Sequence, residues 1–157
     1  MTARRPWKSG QSGEAGFSLV EVVLAIGLLA GVLLSICSMF ILGGKQLKTG
    51  KTLTEATALA HAIMETFDNM SYTSLYTSFG AADTDTSKTA TSNSGTNPLN
   101  QFQAEIDRKL AAGSATIVLT QIGGTNFGDA RGIKVVTTLN WSELGRAQSV
   151  TIGTVRF

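Results

Sequence analysis

From Val22 to Gly44 the chain runs through 23 consecutive positions without a charged residue. A helix rises about 1.5 Å per residue, and crossing the hydrocarbon core of a bilayer takes roughly 20 apolar residues. The run is therefore long enough to span a membrane once. A short basic head precedes it, with Arg4, Arg5 and Lys8 in the first sixteen residues. One carboxylate, Glu21, stands just inside its start. An acid at the bilayer centre costs about 2.5–3.5 kcal/mol on insertion scales and less near an interface, so Glu21 is read as functional and as needing a partner.

Ordinary targeting segments fit this N-terminus poorly. A secretory signal has an apolar core of about 7–15 residues followed by a small-residue cleavage site. This core is far longer, and no such site follows it. A lipoprotein anchor at Cys37 would place Ile36 where a small residue is expected, deep inside the apolar run. A plain signal anchor explains the hydrophobicity and the basic head but gives no reason for Glu21.

The hexapeptide Gly16-Phe17-Ser18-Leu19-Val20-Glu21, between a basic leader and an apolar helix, resembles the processing site of type IV pilin-like proteins. That class includes pilins, minor pilins and type II secretion pseudopilins. The resemblance implies cleavage between Gly16 and Phe17 by a prepilin peptidase, N-methylation of Phe17, and use of Glu21, the fifth mature residue, in filament assembly. It also implies insertion in the bacterial inner membrane with the N-terminus cytoplasmic, then residence in a periplasmic or cell-surface filament. Its fold would be α+β, a long N-terminal helix packed on a small C-terminal antiparallel sheet.

Charge agrees with a removable leader. The chain has 13 basic and 11 acidic residues, net +2. Residues 1–16 hold three of the bases and one of the acids, leaving ten of each sign in the rest. The basic balance thus belongs to the leader, and the remainder lacks the excess that direct nucleic-acid binding wants. Counting positive charges does not orient the span, because Lys45, Lys48 and Lys51 after it balance the three bases before it. The later trio, spaced i, i+3, i+6, shares one helical face and reads as solvated or headgroup-contacting. A single cysteine precludes an internal disulfide, unlike the many pilins that staple their C-terminal region.

Helical spacing continues beyond the apolar run. Leu53, Ala56, Ala60, Ile63 and Phe67 make a one-sided stripe, so one helix is expected from about Phe17 to Met70. Residues 17–44 form its membrane and assembly part and 45–70 an amphipathic continuation whose stripe must be covered. Gly43, Gly44 and Gly50 are possible bends. Gly27 and Gly31, four apart, permit close helix approach, although glycine is common in membrane helices anyway.

Residues 71–97 contain thirteen Ser or Thr in 27 positions. Such composition buries little apolar surface, so a mobile surface loop is expected, tacked down at its start by Tyr72, Leu75, Tyr76 and Phe79, and deletion of residues 80–95 should cost little stability. Asp83 and Asp85 supply too few oxygens to argue for calcium. After it, Asn97 as cap, Pro98, and Phe102, Ile106 and Leu110 mark a short helix ending near Gly113. Period two then takes over in Ser114–Ile122, Gly132–Trp141 and Gln148–Phe157, giving three antiparallel strands. Ile133, Val135, Thr137, Leu139 and Trp141 share a face, and Ser142–Arg146 reads as a hairpin connection.

No enzyme signature emerges. His61 is the only histidine and has an ordinary place among polar helix neighbours; Cys37 suits apolar packing. The glycines at 123, 124 and 128 suit a turn rather than a phosphate cradle. No cofactor is called for. The segment Thr54–Glu65, with the Trp141-bearing strand and the final Val/Ile-rich strand, is similar to V-type minor pilins and I-type secretion pseudopilins. The resulting expectation is a non-enzymatic filament subunit whose partners are the prepilin peptidase, other pilin-like subunits and the inner membrane. The alternative is a single-pass, membrane-anchored periplasmic binding module that never polymerises.

Overall fold

The computed structural model describes residues 16–157, so the basic leader up to residue 15 lies outside the described residues. The chain divides at Gly44 into two compact units. Its first element, α1, spans Leu19–Asp68 and remains helical through Gly43, Gly44 and Gly50. In the first unit every large apolar side chain from Leu19 to Leu42 is exposed.

The second unit, from Lys45 onward, is an α+β domain. The later part of α1 is followed by α2 (Tyr72–Thr77), β1 (Ser87–Thr91), α3 (Asn100–Lys109), β2 (Ser114–Ile122), β3 (Gly132–Glu143) and β4 (Arg146–Arg156). The strands form one antiparallel sheet in the order β1-β2-β3-β4. The helical stripe buries Ala56, Leu59, Ala60, Ile63, Met64 and Phe67. Leu59 and Met64 widen it beyond the narrow 3-4 spacing, as expected for a helix lying on a sheet rather than in a coiled coil. Leu53, counted in the stripe from sequence, is 47 % exposed.

Facing this stripe are Ile117 and Leu119 of β2 and the β3 set Ile133, Val135, Thr137, Leu139 and Trp141, all buried. The shared face expected for β3 is therefore the core face. Phe67 meets the rings of Phe79 and Phe102 edge-on at 5.2 and 6.4 Å, a favoured aromatic geometry. The hairpin between β3 and β4 closes on two residues, with Glu143 paired to Arg146 and both Leu144 and Gly145 at positive φ. That backbone matches the right-handed twist of the flanking strands.

Three helical and loop features fix the frame around the sheet. Asn97 accepts the Leu99 N–H at 2.9 Å and so starts the α3 turn, although the helix itself begins at Asn100. Gly113 follows α3 where a Cβ would lie 2.6 Å from Ile106 Cγ2; only glycine fits. Arg156, near the end of β4, donates to the carbonyls of Phe67 and Met70 at 3.0 and 2.6 Å. No basic residue lies in the last turn of α1, so a strand distant in sequence supplies the cation that helix end prefers.

Segment 71–97 is not a plain surface loop. It holds α2 and the edge strand β1, so the sheet has four strands rather than three. Ser71 caps α2 by accepting the Ser74 N–H, and Leu75, Tyr76, Phe79 and Ala81 are buried. Tyr76 stacks on Phe127 at 5.0 Å and donates to Asp83 at 2.7 Å; that bond, chiefly, raises its phenol pKa. Ser92 is buried, accepts the Ala115 N–H at 3.0 Å and bonds to Gln103. The hydroxyls that make this segment look disordered by composition include ones that seal a sheet edge.

Candidate functional site

The sequence concentrates its signals at the start of α1. Ser18 opens the helix, its carbonyl accepting the Val22 N–H at 3.1 Å, while Gly16 and Phe17 precede it in non-helical backbone. Phe17 is 81 % exposed, and a Cβ at Gly16 would meet nothing within 4 Å. Among the described residues, the Gly16–Phe17 peptide is thus an exposed, non-helical junction. Glu21 lies exposed in the first helical turn, where unsatisfied backbone N–H groups favour negative charge. It has no salt bridge or side-chain hydrogen bond among the described residues.

The helix beyond Glu21 is long and apolar enough to cross a membrane. Its two serines hide their hydroxyl hydrogens internally: Ser35 donates to the Gly31 carbonyl and Ser38 to that of Leu34, each at 2.9 Å. Such back-bonding lets serine sit in a lipid-facing helix without an unsatisfied donor. Gly27 and Gly31 both have open space where a Cβ would be, leaving a shallow place on the helix surface. Cys37 is exposed on the same segment. Lys45, Lys48 and Lys51 are exposed, Lys51 reaching Glu55 at 3.8 Å.

The other sequence candidates are occupied locally. Asp85 accepts the Ala82 N–H at 2.8 Å, and Asp83 takes the Tyr76 hydroxyl. Asp129, in the β2–β3 loop, accepts from the Thr125 hydroxyl and the Thr125 and Asn126 N–H groups, which hold its carboxyl below the usual range. His61 is exposed on α1. No group of three or more metal-ligating side chains occurs among the described residues.

Sequence reasoning missed a cavity of about 190 Å³ in the second unit, lined by Lys48, Thr52, Lys109, Trp141, Glu143 and Leu144. Trp141 is 4 % and Glu143 9 % exposed. Indole Nε1 and Glu143 Oε2 are buried and have no partner among the described residues. The other carboxylate oxygen has only Thr52 Oγ1 at 3.4 Å, and Thr52 also approaches the Lys48 carbonyl at 3.0 Å. One hydroxyl hydrogen cannot serve both, and the shorter contact is the better bond. Extending the β3 alternation by one more step, from Trp141 to Glu143, was the signal available in the sequence.

No family model, curated protein or solved structure matches this chain.

Proposed function

We propose that the chain is a non-enzymatic, pilin-like filament subunit anchored in the inner membrane by the first part of α1. In this reading a prepilin peptidase cuts between Gly16 and Phe17, and the mature helix packs with those of other subunits in a type IV pilus or pseudopilus. The finer likeness is to a V-type minor pilin or an I-type pseudopilin. The observation that carries the reading is the junction itself: a non-helical, exposed Gly16–Phe17 peptide two residues before an apolar helix whose first turn holds Glu21, without a side-chain partner among the described residues.

The physical logic is charge pairing. Cleavage gives Phe17 an ammonium, and Glu21 supplies the carboxylate that neutralises it, within one chain or between neighbours. A lone charge in an apolar bundle costs several kcal/mol; a pair recovers much of that and fixes the axial register between helices. Gly27 and Gly31 permit close approach of a neighbouring helix.

The test is expression beside a prepilin peptidase, followed by mass spectrometry of the N-terminus. The expected product begins at Phe17, N-methylated, and Gly16→Leu keeps its leader. Glu21→Ala should still insert and be cut yet enter filaments at least tenfold less. An unprocessed N-terminus beside correctly cut control pilins would overturn the reading and favour a membrane-anchored binding module. Normal filament entry of Glu21→Ala would remove the electrostatic mechanism alone.

A further inference from the structure

The two edges of the sheet are built differently. Strand β4 pairs with β3 over its whole length, Arg146–Arg156, without a bulge. The two-residue hairpin makes Glu143 and Arg146 a pair that exchanges both backbone hydrogen bonds, and the pattern alternates from there. Ala147, Ser149, Thr151, Gly153 and Val155 therefore turn their N–H and C=O groups away from β3. No backbone group meets them among the described residues. Native sheets usually blunt such an edge with Lys, Pro, a bulge or a short strand, and between its terminal arginines β4 has none of these. The opposite edge, β1, is only five residues long. Gln121 donates to the Thr86 carbonyl at 3.0 Å and Ser92 to that of Ala115 at 2.9 Å, so Ser87, Thr89 and Thr91 face outward. The Thr91 carbonyl already accepts from the Asn97 side chain and the Ser94 N–H. Both backbone groups of Ser87 and Thr89 and the Thr91 N–H remain open among the described residues.

A row of threonines crosses the sheet on the face turned away from α1. Thr91 is opposite Thr116, Thr116 opposite Thr138, and Thr138 opposite Thr151, one on each strand. The last two share a hydroxyl contact at 3.0 Å. Core packing does not select residues on this face, and cross-strand threonine pairs add stability. We propose that the β4 edge takes the β1 strand of a second copy of this chain. The second copy's Thr91 lies opposite Thr151, so that sheet and threonine row both continue from copy to copy. Because β1 and β4 run antiparallel within one sheet, a copy displaced sideways without reversal presents β1 in the antiparallel sense. Charge selects the same pairing, since like charges directly opposite are destabilising. Two β4 strands in full overlap would set Arg146 against Arg156, and two β1 strands centred on Lys88 would set that lysine against itself. In the threonine register Lys88 meets Thr154, and Arg156 meets Thr86. A contact between two different edges is heterologous and repeats without closing, the relation a filament needs. Its repetition rests on the filament reading above; the edge chemistry does not.

The experiment oxidises the full-length protein, in a Cys37→Ser background, in membranes of cells that co-express a prepilin peptidase. Opposed residues of a hydrogen-bonded antiparallel pair lie about 5.5 Å apart at Cα, within disulfide reach. Within one chain Thr91 and Thr151 are three strand spacings apart, about 14 Å, which is too far. Thr91→Cys with Thr151→Cys should therefore give a ladder of dimers, trimers and longer species. Either substitution alone should leave monomers, and the two single variants together should give a mixed dimer. Gly153→Pro loses an N–H that points away from β3. It should keep the parent's circular dichroism and lower the ladder about tenfold, the worth of one or two edge hydrogen bonds. Monomers throughout, dimers from Thr151→Cys alone, Thr151→Cys joined to a different protein, or an undiminished ladder in folded Gly153→Pro would each overturn the contact. Chains cut at Phe17 that enter filaments without a ladder would overturn the contact and leave the filament reading standing. A ladder from chains that the peptidase leaves uncut would break the filament reading and leave the contact.

Discussion

The two parts of α1 share one backbone conformation and obey opposite rules of burial. Between Leu19 and Leu42 the large apolar side chains are exposed on every side. Between Ala56 and Phe67 six side chains are buried, while Glu55, His61 and Glu65 stay toward solvent or partly so. A one-sided stripe needs one covering surface, which the sheet supplies. An all-round apolar surface needs an apolar solvent or a bundle of like helices. The same helix is therefore a core element at one end and an unsatisfied surface at the other.

The sharpest way to break that contrast is to truncate one residue from each part. Phe67→Ala, which empties a fully enclosed site and three-ring contact, should cost about 3–5 kcal/mol of unfolding free energy. Leu33→Ala, exposed in the first part, should change the denaturant midpoint of the second unit by no more than about 0.5 kcal/mol equivalent. Comparable losses at both positions, measured by urea unfolding in micelles, would show that the two units are one cooperative body.

A smaller effect tests the order of the Ser/Thr-rich segment. Ser92→Ala removes the hydroxyl that serves both the Ala115 N–H and Gln103 and leaves buried groups unpaired. It should destabilise by about 1–3 kcal/mol. A neutral result would return segment 71–97 to the status of a surface loop. The smallest change should be a gain. Thr137 lies fully buried in β3 with its hydroxyl unpartnered, so Thr137→Val, nearly isosteric, should raise stability by about 1 kcal/mol. A loss instead would mean that the hydroxyl is satisfied in solution.

How much of this was legible depends on which force holds each element. Hydrophobic periodicity locates α1, α3, β2 and the core face of β3 to within a few residues, because burial selects side chains one by one along the chain. It is silent on β1. The Ser87–Thr91 strand presents no apolar alternation and is held by its backbone ladder to β2, from Ser87–Thr120 to Thr91–Thr116, which leaves little trace in composition. Tyr72, Leu75, Tyr76 and Phe79 were the hint that the segment is anchored, and only at its start.

The sequence by itself determined the local and one-dimensional properties: an uncharged run long enough to span a membrane, a carboxylate at its head, a stripe that had to be covered, and the strands that could cover it. Tertiary structure alone decided what depends on residues far apart in the chain. It took Arg156 to the C-terminal carbonyls of α1, made Ser92 a structural hydroxyl, and gathered Lys48, Thr52, Trp141 and Glu143 around one cavity. Periodicity reports which face of an element is buried. It cannot report which distant groups meet there, because that follows from the register and packing of elements whose side-chain patterns carry no record of each other.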